Sequence, residues 1–354
     1  MQIDQQFSGG NIRLLRIDGD TVLLEREMRD SIRDWFYWAF RVRGAGGKTV
    51  TFRFPSQNRV GYYGAAVSHD CTSWRWSDGR EIFPDGTEGF TYRFAQGEDE
   101  VYFAHNMLYG VSRFNCFAAA RGLSLSSLCQ SERGRSVPFL RFGCGSRRIL
   151  LTARHHACEN TGSYVLEGVL SALTEKPLDD CEIICVPFVD YDGVLDGDQG
   201  KNRRGHDHNR DYDAGERAVY ASCRAIRTLA DTEALTLALD FHSPYHLGGR
   251  NDKVFFVHGN DEISPRITAF GRLLEKHLLQ DAMRYSTADD ILPNVEWNNP
   301  ASTTCARYLL GKPSVRLAAT LEVTYFGEAD NIVSIPRLLA LGQSVAEAIR
   351  EYLK

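Results

Sequence analysis

The sequence predicts an α/β protein in two parts: an N-terminal antiparallel β-sandwich over residues 1–112 and an α/β domain with a mixed central sheet over 113–354. Two observations carry this. Up to about residue 112, short runs alternate polar with apolar residues and are punctuated by Gly/Asp turns. Beyond that point, short apolar runs alternate with stretches of helical spacing. A chain of 354 residues is long enough for two domains with a sizeable core, and 43% hydrophobic with 25% charged residues is an ordinary globular composition.

In the first part, Thr49-Val50-Thr51-Phe52-Arg53-Phe54 alternates strictly, is rich in β-branched and aromatic residues, and is stopped by Pro55. Residues 35–42 read the same way, and turns recur at Asp18-Gly19, Asp78-Gly79 and Asp85-Gly86. The aromatic residues Trp35, Phe36, Tyr37, Trp38, Trp74 and Trp76 are most simply core, with a few lining a cleft. In the second part, residues 148–152, 181–187 and 235–240 are apolar strands. Residues 162–173, 214–229 and 335–353 have helical spacing. A net charge of −5 and a pI near 6.1 give no reason to expect nucleic acid or an anionic membrane as partner. The first residues, Met1-Gln2-Ile3-Asp4-Gln5-Gln6, carry neither a basic nor an apolar leader, and no apolar run reaches bilayer length. Nine scattered cysteines, an odd number, suit reduced thiols, so a cytoplasmic location is expected.

The chemistry lies in the second part. Thr152-Ala153-Arg154-His155-His156-Ala157-Cys158-Glu159 places a histidine and a glutamate three residues apart, and an apolar strand ends in Leu239-Asp240-Phe241-His242. His156, Glu159 and His242 together offer three ligands of the kind that hold a catalytic zinc with a fourth position open. H-x-x-E alone is a weak pattern, and His155 is an alternative to His156 as the inward residue. Both segments follow strands, and open α/β sheets place their sites at carboxyl ends of strands. Glu322 sits in the apolar run from Leu317 to Val323, where a charge is costly without a functional reason. Between the ligand segments lies a basic loop with Arg203, Arg204, Asn209 and Arg210. Its alternating acids (Asp196, Asp198, Asp207, Asp211, Asp213) argue against phosphate-backbone binding.

This order of segments resembles the zinc metallocarboxypeptidases, and within them the cytosolic carboxypeptidase-like branch. Asp190-Tyr191-Asp192-Gly193-Val194 stands where that family has Asn-Pro-Asp-Gly-Val. Phe7-Ser8-Gly9-Gly10-Asn11, residues 35–42 and Val101-Tyr102-Phe103-Ala104-His105 are similar to the β-domain that precedes the peptidase domain in that branch. The resemblance implies one zinc ion per chain on His156, Glu159 and His242, with Glu322 taking a proton from water and passing it to the leaving amine. It implies that Asn209 and Arg210 hold the C-terminal carboxylate of a peptide or protein substrate. Arg203 would stabilise the oxyanion, with Arg204 its competitor. Arg307 falls where the family builds the floor of the side-chain pocket; a basic residue there implies preference for an acidic C-terminal residue such as glutamate. The other reading of Arg307 is an ordinary helix-surface arginine. No tyrosine is assigned to closing over the substrate.

Two other functions share these residues. A zinc amidohydrolase acting on an acylated amino acid, or on a γ-glutamyl or cell-wall peptide, would use the same free-carboxylate contacts. A non-enzymatic peptide-binding module would be expected to have lost the ligands or Glu322, and the sequence keeps all four.

Overall fold

The computed structural model describes residues 1–201, 203–213 and 218–354, with the backbone alone at Arg204. The N-terminal part is a sandwich of two five-stranded sheets. Pairings are antiparallel except for Thr21–Glu25 beside Thr49–Phe54, which run parallel. The period-2 pattern of Thr49–Phe54 turns Val50, Phe52 and Phe54 inward. They meet Trp38, Phe40, Phe90 and Phe103, with Phe40 and Phe103 at 5.3 Å and Phe52 and Phe90 at 5.1 Å between ring centres. The last sandwich strand ends at Ala104 and the helix Val111–Ala120 follows, so the boundary expected at 112/113 falls inside that helix's first turn.

The second part is built on a mixed seven-stranded sheet. Its order is Leu125–Gln130, Ser136–Cys144, Cys181–Val186, Arg147–Ala153, Leu235–His242, Leu317–Glu322, Phe255–Val257. The four strands from Cys181–Val186 to Leu317–Glu322 run parallel, and the flanking strands pair antiparallel. Helices cover both faces, which is why these strands read as continuous apolar runs. Ile149, Leu151, Leu239 and Phe241 face the helices Asn160–Glu175, Ser264–His277 and Ile335–Tyr352. Leu150, Ile184, Ala238 and Ala318 face the helices Ala221–Thr232 and Cys305–Leu310. Among the described residues no helix is long and apolar enough to cross a membrane, and all nine cysteines are unpaired.

Two helices lie where the spacing predicts them, the first extended to Asn160–Glu175 and the second ending one residue early as Ile335–Tyr352. The helix expected from 214 starts instead at Ala221; residues 214–217 lie outside the described residues. The Asp211 carboxylate accepts the backbone N–H of Val219 and Tyr220, holding that stretch extended ahead of the helix.

Asn160–Glu175 and Ile335–Tyr352 touch backbone to backbone through glycines. A Cβ on Gly168 would lie 2.2 Å from Leu339 O, and one on Gly342 would lie 2.1 Å from Val165 O. Because Asn160–Glu175 starts at the metal-ligand candidate Glu159, this contact seats the site on the sheet. Gly342→Val is expected to destabilise the chain by about 2 kcal/mol or more through overpacking. A lowered urea midpoint at unchanged slope would show it; an unchanged midpoint would mean the helices can separate freely.

Candidate metal centre

Three neighbouring parallel strands deliver the site. His242 and Glu322 are direct register partners at the carboxyl ends of Leu235–His242 and Leu317–Glu322. On the other side of the His242 strand, Arg147–Ala153 ends and the chain turns sharply at Arg154, whose φ of 63° is uncommon for a non-glycine residue. The Arg154 guanidinium anchors this turn by donating to the carbonyls of Ala157 and Tyr109, each 2.9 Å away. Glu159 then sits at the N-cap of the following helix. His156, Glu159 and His242 are all buried.

The three side chains converge. His156 Nδ1 lies 2.7 Å from Glu159 Oε1, and His242 Nδ1 lies 2.7 Å from Glu159 Oε2. Each imidazole is backed by a carboxylate on its other nitrogen. His156 Nε2 is 3.0 Å from Asp207 Oδ1, and His242 Nε2 is 2.9 Å from Asp240 Oδ2. That arrangement fixes which nitrogen faces inward and is how proteins orient metal-ligating histidines. His155 turns the opposite way. Its Nδ1 meets Asp240 Oδ1 at 2.9 Å and its Nε2 meets the Tyr212 hydroxyl at 2.7 Å, so both nitrogens are engaged inside the fold. A second trio, His155, Asp240 and His242, is also compact enough for an ion. Of the two, His156, Glu159 and His242 line the large cleft, and His155 does not.

The electrostatics are those of a cation site. Against its burial, Glu159 is held well below the usual carboxylate range by His156, Lys201 and His242. Burial, with Glu159 nearby, pushes Glu322 up to about 7. Glu322 Oε2 is buried without a hydrogen-bond partner, an atom still available to a ligand, water or ion. Two imidazoles, a carboxylate and an adjacent unpartnered carboxylate oxygen fit a zinc ion by donor type, so the residues suit the metal the sequence implies.

The cleft of about 560 Å³ contains His156, Glu159, His242, Glu322, Asn209, Arg210 and Arg307 in its walls. Asn209 is anchored, its Oδ1 accepting from Cys305 N–H at 2.9 Å and its Nδ2 lying 3.0 Å from His242 Nε2. Arg210 is exposed and donates to Asn209 O at 2.8 Å. The Arg307 guanidinium donates to the carbonyls of Gly259 at 3.1 Å and Asn299 at 2.6 Å, and to Asn298 Oδ1. Neither Arg210 nor Arg307 has a carboxylate at ion-pair distance among the described residues. Burial and the neighbouring Arg210 charge hold Arg307 below the usual arginine range.

Arg203 is a correction. It is buried away from this cleft, bound to Asp198 and lying 3.5 Å from Asp190 and 3.9 Å from Asp196, in a separate depression lined by arginines and aspartates. A guanidinium set among two buried carboxylates and a partly buried third is a structural ion cluster, so the oxyanion role expected of it is not retained. The Arg204 side chain lies outside the described residues.

Sequence reasoning missed Asp207, Asp240 and Lys201. Asp240 had a signal, since two residues apart on a strand puts it on the His242 side. Asp207 had none, because its approach to His156 is made by an irregular loop. Lys201 was overshadowed by the arginines that follow it.

The fold is one that solved metallo-carboxypeptidases share. The chain superposes on the metallo-carboxypeptidase of Burkholderia cenocepacia with a TM-score of 0.80 at 20% identity, covering 99% of this chain and 98% of the other. The Pseudomonas aeruginosa metallo-carboxypeptidase, solved with (2-guanidinoethylmercapto)succinic acid, gives 0.78 at 20% identity over the whole of both chains. Residues 3–105 match the family model for the cytosolic carboxypeptidase N-terminal domain. Human cytosolic carboxypeptidase 2 is 26% identical over 298 residues, 68% of this chain but 32% of that protein, so this chain spans about a third of that relative's length. A Zymomonas mobilis protein of uncharacterised function is 26% identical over 260 residues, 68% of this chain and 67% of that one. The chain is therefore related to the cytosolic carboxypeptidases.

Asp240→Asn is expected to weaken metal binding roughly 10–100-fold, measured by competition with a chromogenic chelator. Unchanged affinity would mean the carboxylate behind His242 does not orient a ligand.

Proposed function

We propose that this chain is a zinc carboxypeptidase that removes an acidic residue, glutamate above all, from the C-terminus of a peptide or protein. The single observation that carries the acidic preference is the pair Arg210 and Arg307, two guanidiniums without a carboxylate partner among the described residues, in the cleft that also holds the candidate metal ligands. A C-terminal glutamate brings two carboxylates to two such cations, and guanidinium is the group suited to bind each. Arg210, beside the Asn209 amide, takes the α-carboxylate, and Arg307 takes the side-chain carboxylate. His156, Glu159 and His242 would hold the zinc ion, which when bound lowers the pKa of water and polarises a carbonyl. Glu322, buried and with a free oxygen, accepts the proton of the attacking water and delivers it to the departing amine. No membrane or nucleic-acid partner is proposed, and a cytoplasmic setting suits the unpaired cysteines.

Two substitutions separate these roles. Glu322→Gln is expected to keep one zinc per chain while lowering kcat by roughly 10²–10⁴-fold, read by metal analysis alongside amino-acid release. Loss of zinc as well would make Glu322 a ligand. Arg307→Ala is expected to reduce kcat/KM for glutamate-terminated peptides by roughly tenfold or more, as loss of a charged hydrogen bond does, while leaving alanine-terminated ones nearly unchanged. Equal effects on both would remove Arg307 from the side-chain pocket. The overall reading is tested by release of single residues from C-terminally varied peptides, with and without a zinc chelator. Chelator-sensitive release of glutamate supports it; hydrolysis of N-acyl amino acids alone, with no peptide cleaved, would replace it with the amidohydrolase reading.

A further inference from the structure

Hydrolysis of an amide passes through a tetrahedral oxyanion, and a fixed donor or cation beside that oxygen is usually a large term in catalysis. Arg203 does not supply it, being locked among Asp190, Asp196 and Asp198. A different cation reaches the metal-ligand cluster. Lys201 Nζ lies 2.9 Å from His156 Nδ1 and donates to Glu159 Oε1 at 3.1 Å, contacts it would give up to a bound ion, and its long side chain lines the cleft beside them. The indole of Trp35 faces the same ammonium, with Nζ 4.8 Å from the ring centre.

The loop that carries Lys201 is built to hold it there. Gly200 has φ +80°, and a Cβ on it would lie 2.0 Å from Ala157 N, so the loop rests directly on the ligand-bearing turn. The Asp30 carboxylate, from the sandwich domain, accepts the backbone N–H of Gln199, Gly200 and Lys201 at 2.8, 2.9 and 3.0 Å. The Gln199 side chain is itself tied to the backbone of Tyr37 and Glu27. An anchored backbone leaves a four-carbon stem to place one compact charge.

We propose that Lys201 is the electrophilic catalytic residue of this cleft, its ammonium donating to the oxyanion that develops on the scissile carbonyl. The inference rests on the carboxypeptidase reading. Water oxygen bonds to the carbonyl carbon, the carbonyl π pair moves to oxygen, and Glu322 takes a water proton. Collapse restores the C=O bond, the C–N bond breaks, and the proton leaves with the amine. Lys201 neither gains nor loses a proton, and its contact is strongest at the tetrahedral stage, so its removal should lower kcat more than it raises KM.

The test compares Lys201→Met and Lys201→Arg with wild type, all zinc-loaded. It uses turnover of a glutamate-terminated peptide, zinc content, and calorimetric binding of a phosphinic peptide, a tetrahedral anion, against free glutamate. Lys201→Met is expected to retain one zinc, to lose roughly 10²–10³-fold in kcat with KM within about threefold, and to bind the phosphinic peptide at least tenfold more weakly with glutamate binding unchanged. Lys201→Arg, keeping the charge, is expected to recover part of the phosphinic affinity. Unchanged phosphinic affinity in Lys201→Met, or loss of its zinc, would overturn the proposal. A wild-type chain that cleaves no peptide would count against the carboxypeptidase reading, while phosphinic binding still decides for or against Lys201.

Discussion

The arrangement on which the rest of the structure depends is two imidazoles and one carboxylate aimed at a common point inside the protein. Buried ionised groups are tolerated when paired and hydrogen-bonded, and are expensive otherwise. Here Glu159 faces both His156 and His242, while Asp207 and Asp240 back the two rings. Such a cluster cannot be assembled from one segment. It needs the end of Arg147–Ala153, the turn at Arg154, the first residue of a helix and the ends of two further parallel strands. The register that sets His242 against Glu322 then places an unpartnered carboxylate beside the ligands.

How much of this was legible in the chain follows from how local each signal is. The strand Thr49–Phe54 announces itself by strict alternation, because one face is buried and the other half-exposed. The central strands announce themselves by unbroken apolar runs, because both faces are covered. His156, Glu159, His242 and Glu322 stand out as polar residues at strand ends or inside apolar runs, and the structure gathers all four in one cleft. Arg203 misled for a physical reason. A basic residue in a cleft-forming loop and one that neutralises buried acids look alike in sequence, and only the fold shows that Asp190, Asp196 and Asp198 surround it. Asp207 and Lys201 were illegible for a related reason, since they reach His156 through a loop whose path has no period to read.

The sandwich domain is more than a neighbour of the seven-stranded sheet. Trp35 comes from the segment read as a sandwich strand, yet it lines the cleft, while Trp38 three residues on lies in the sandwich core. Asp30 and Tyr37 hold the loop that crosses the ligand-bearing turn. Asn11 donates to Gly197 O at 2.7 Å, and Tyr62 donates to Asp252 at 3.1 Å, so the two parts share polar contacts at separate points. The candidate metal-ligand side chains belong to the second domain, and the first domain fixes the loop and one wall around them.

The central claim is that one zinc ion sits between His156, Glu159 and His242. Anomalous diffraction at the zinc edge, on crystals of the zinc-loaded chain, tests it most directly. The account predicts one peak roughly 2.0–2.2 Å from His156 Nδ1, His242 Nδ1 and a Glu159 oxygen, with the Glu322 carboxylate nearby and unligated. A peak instead between His155, Asp240 and His242, or no peak at full zinc loading, would contradict it.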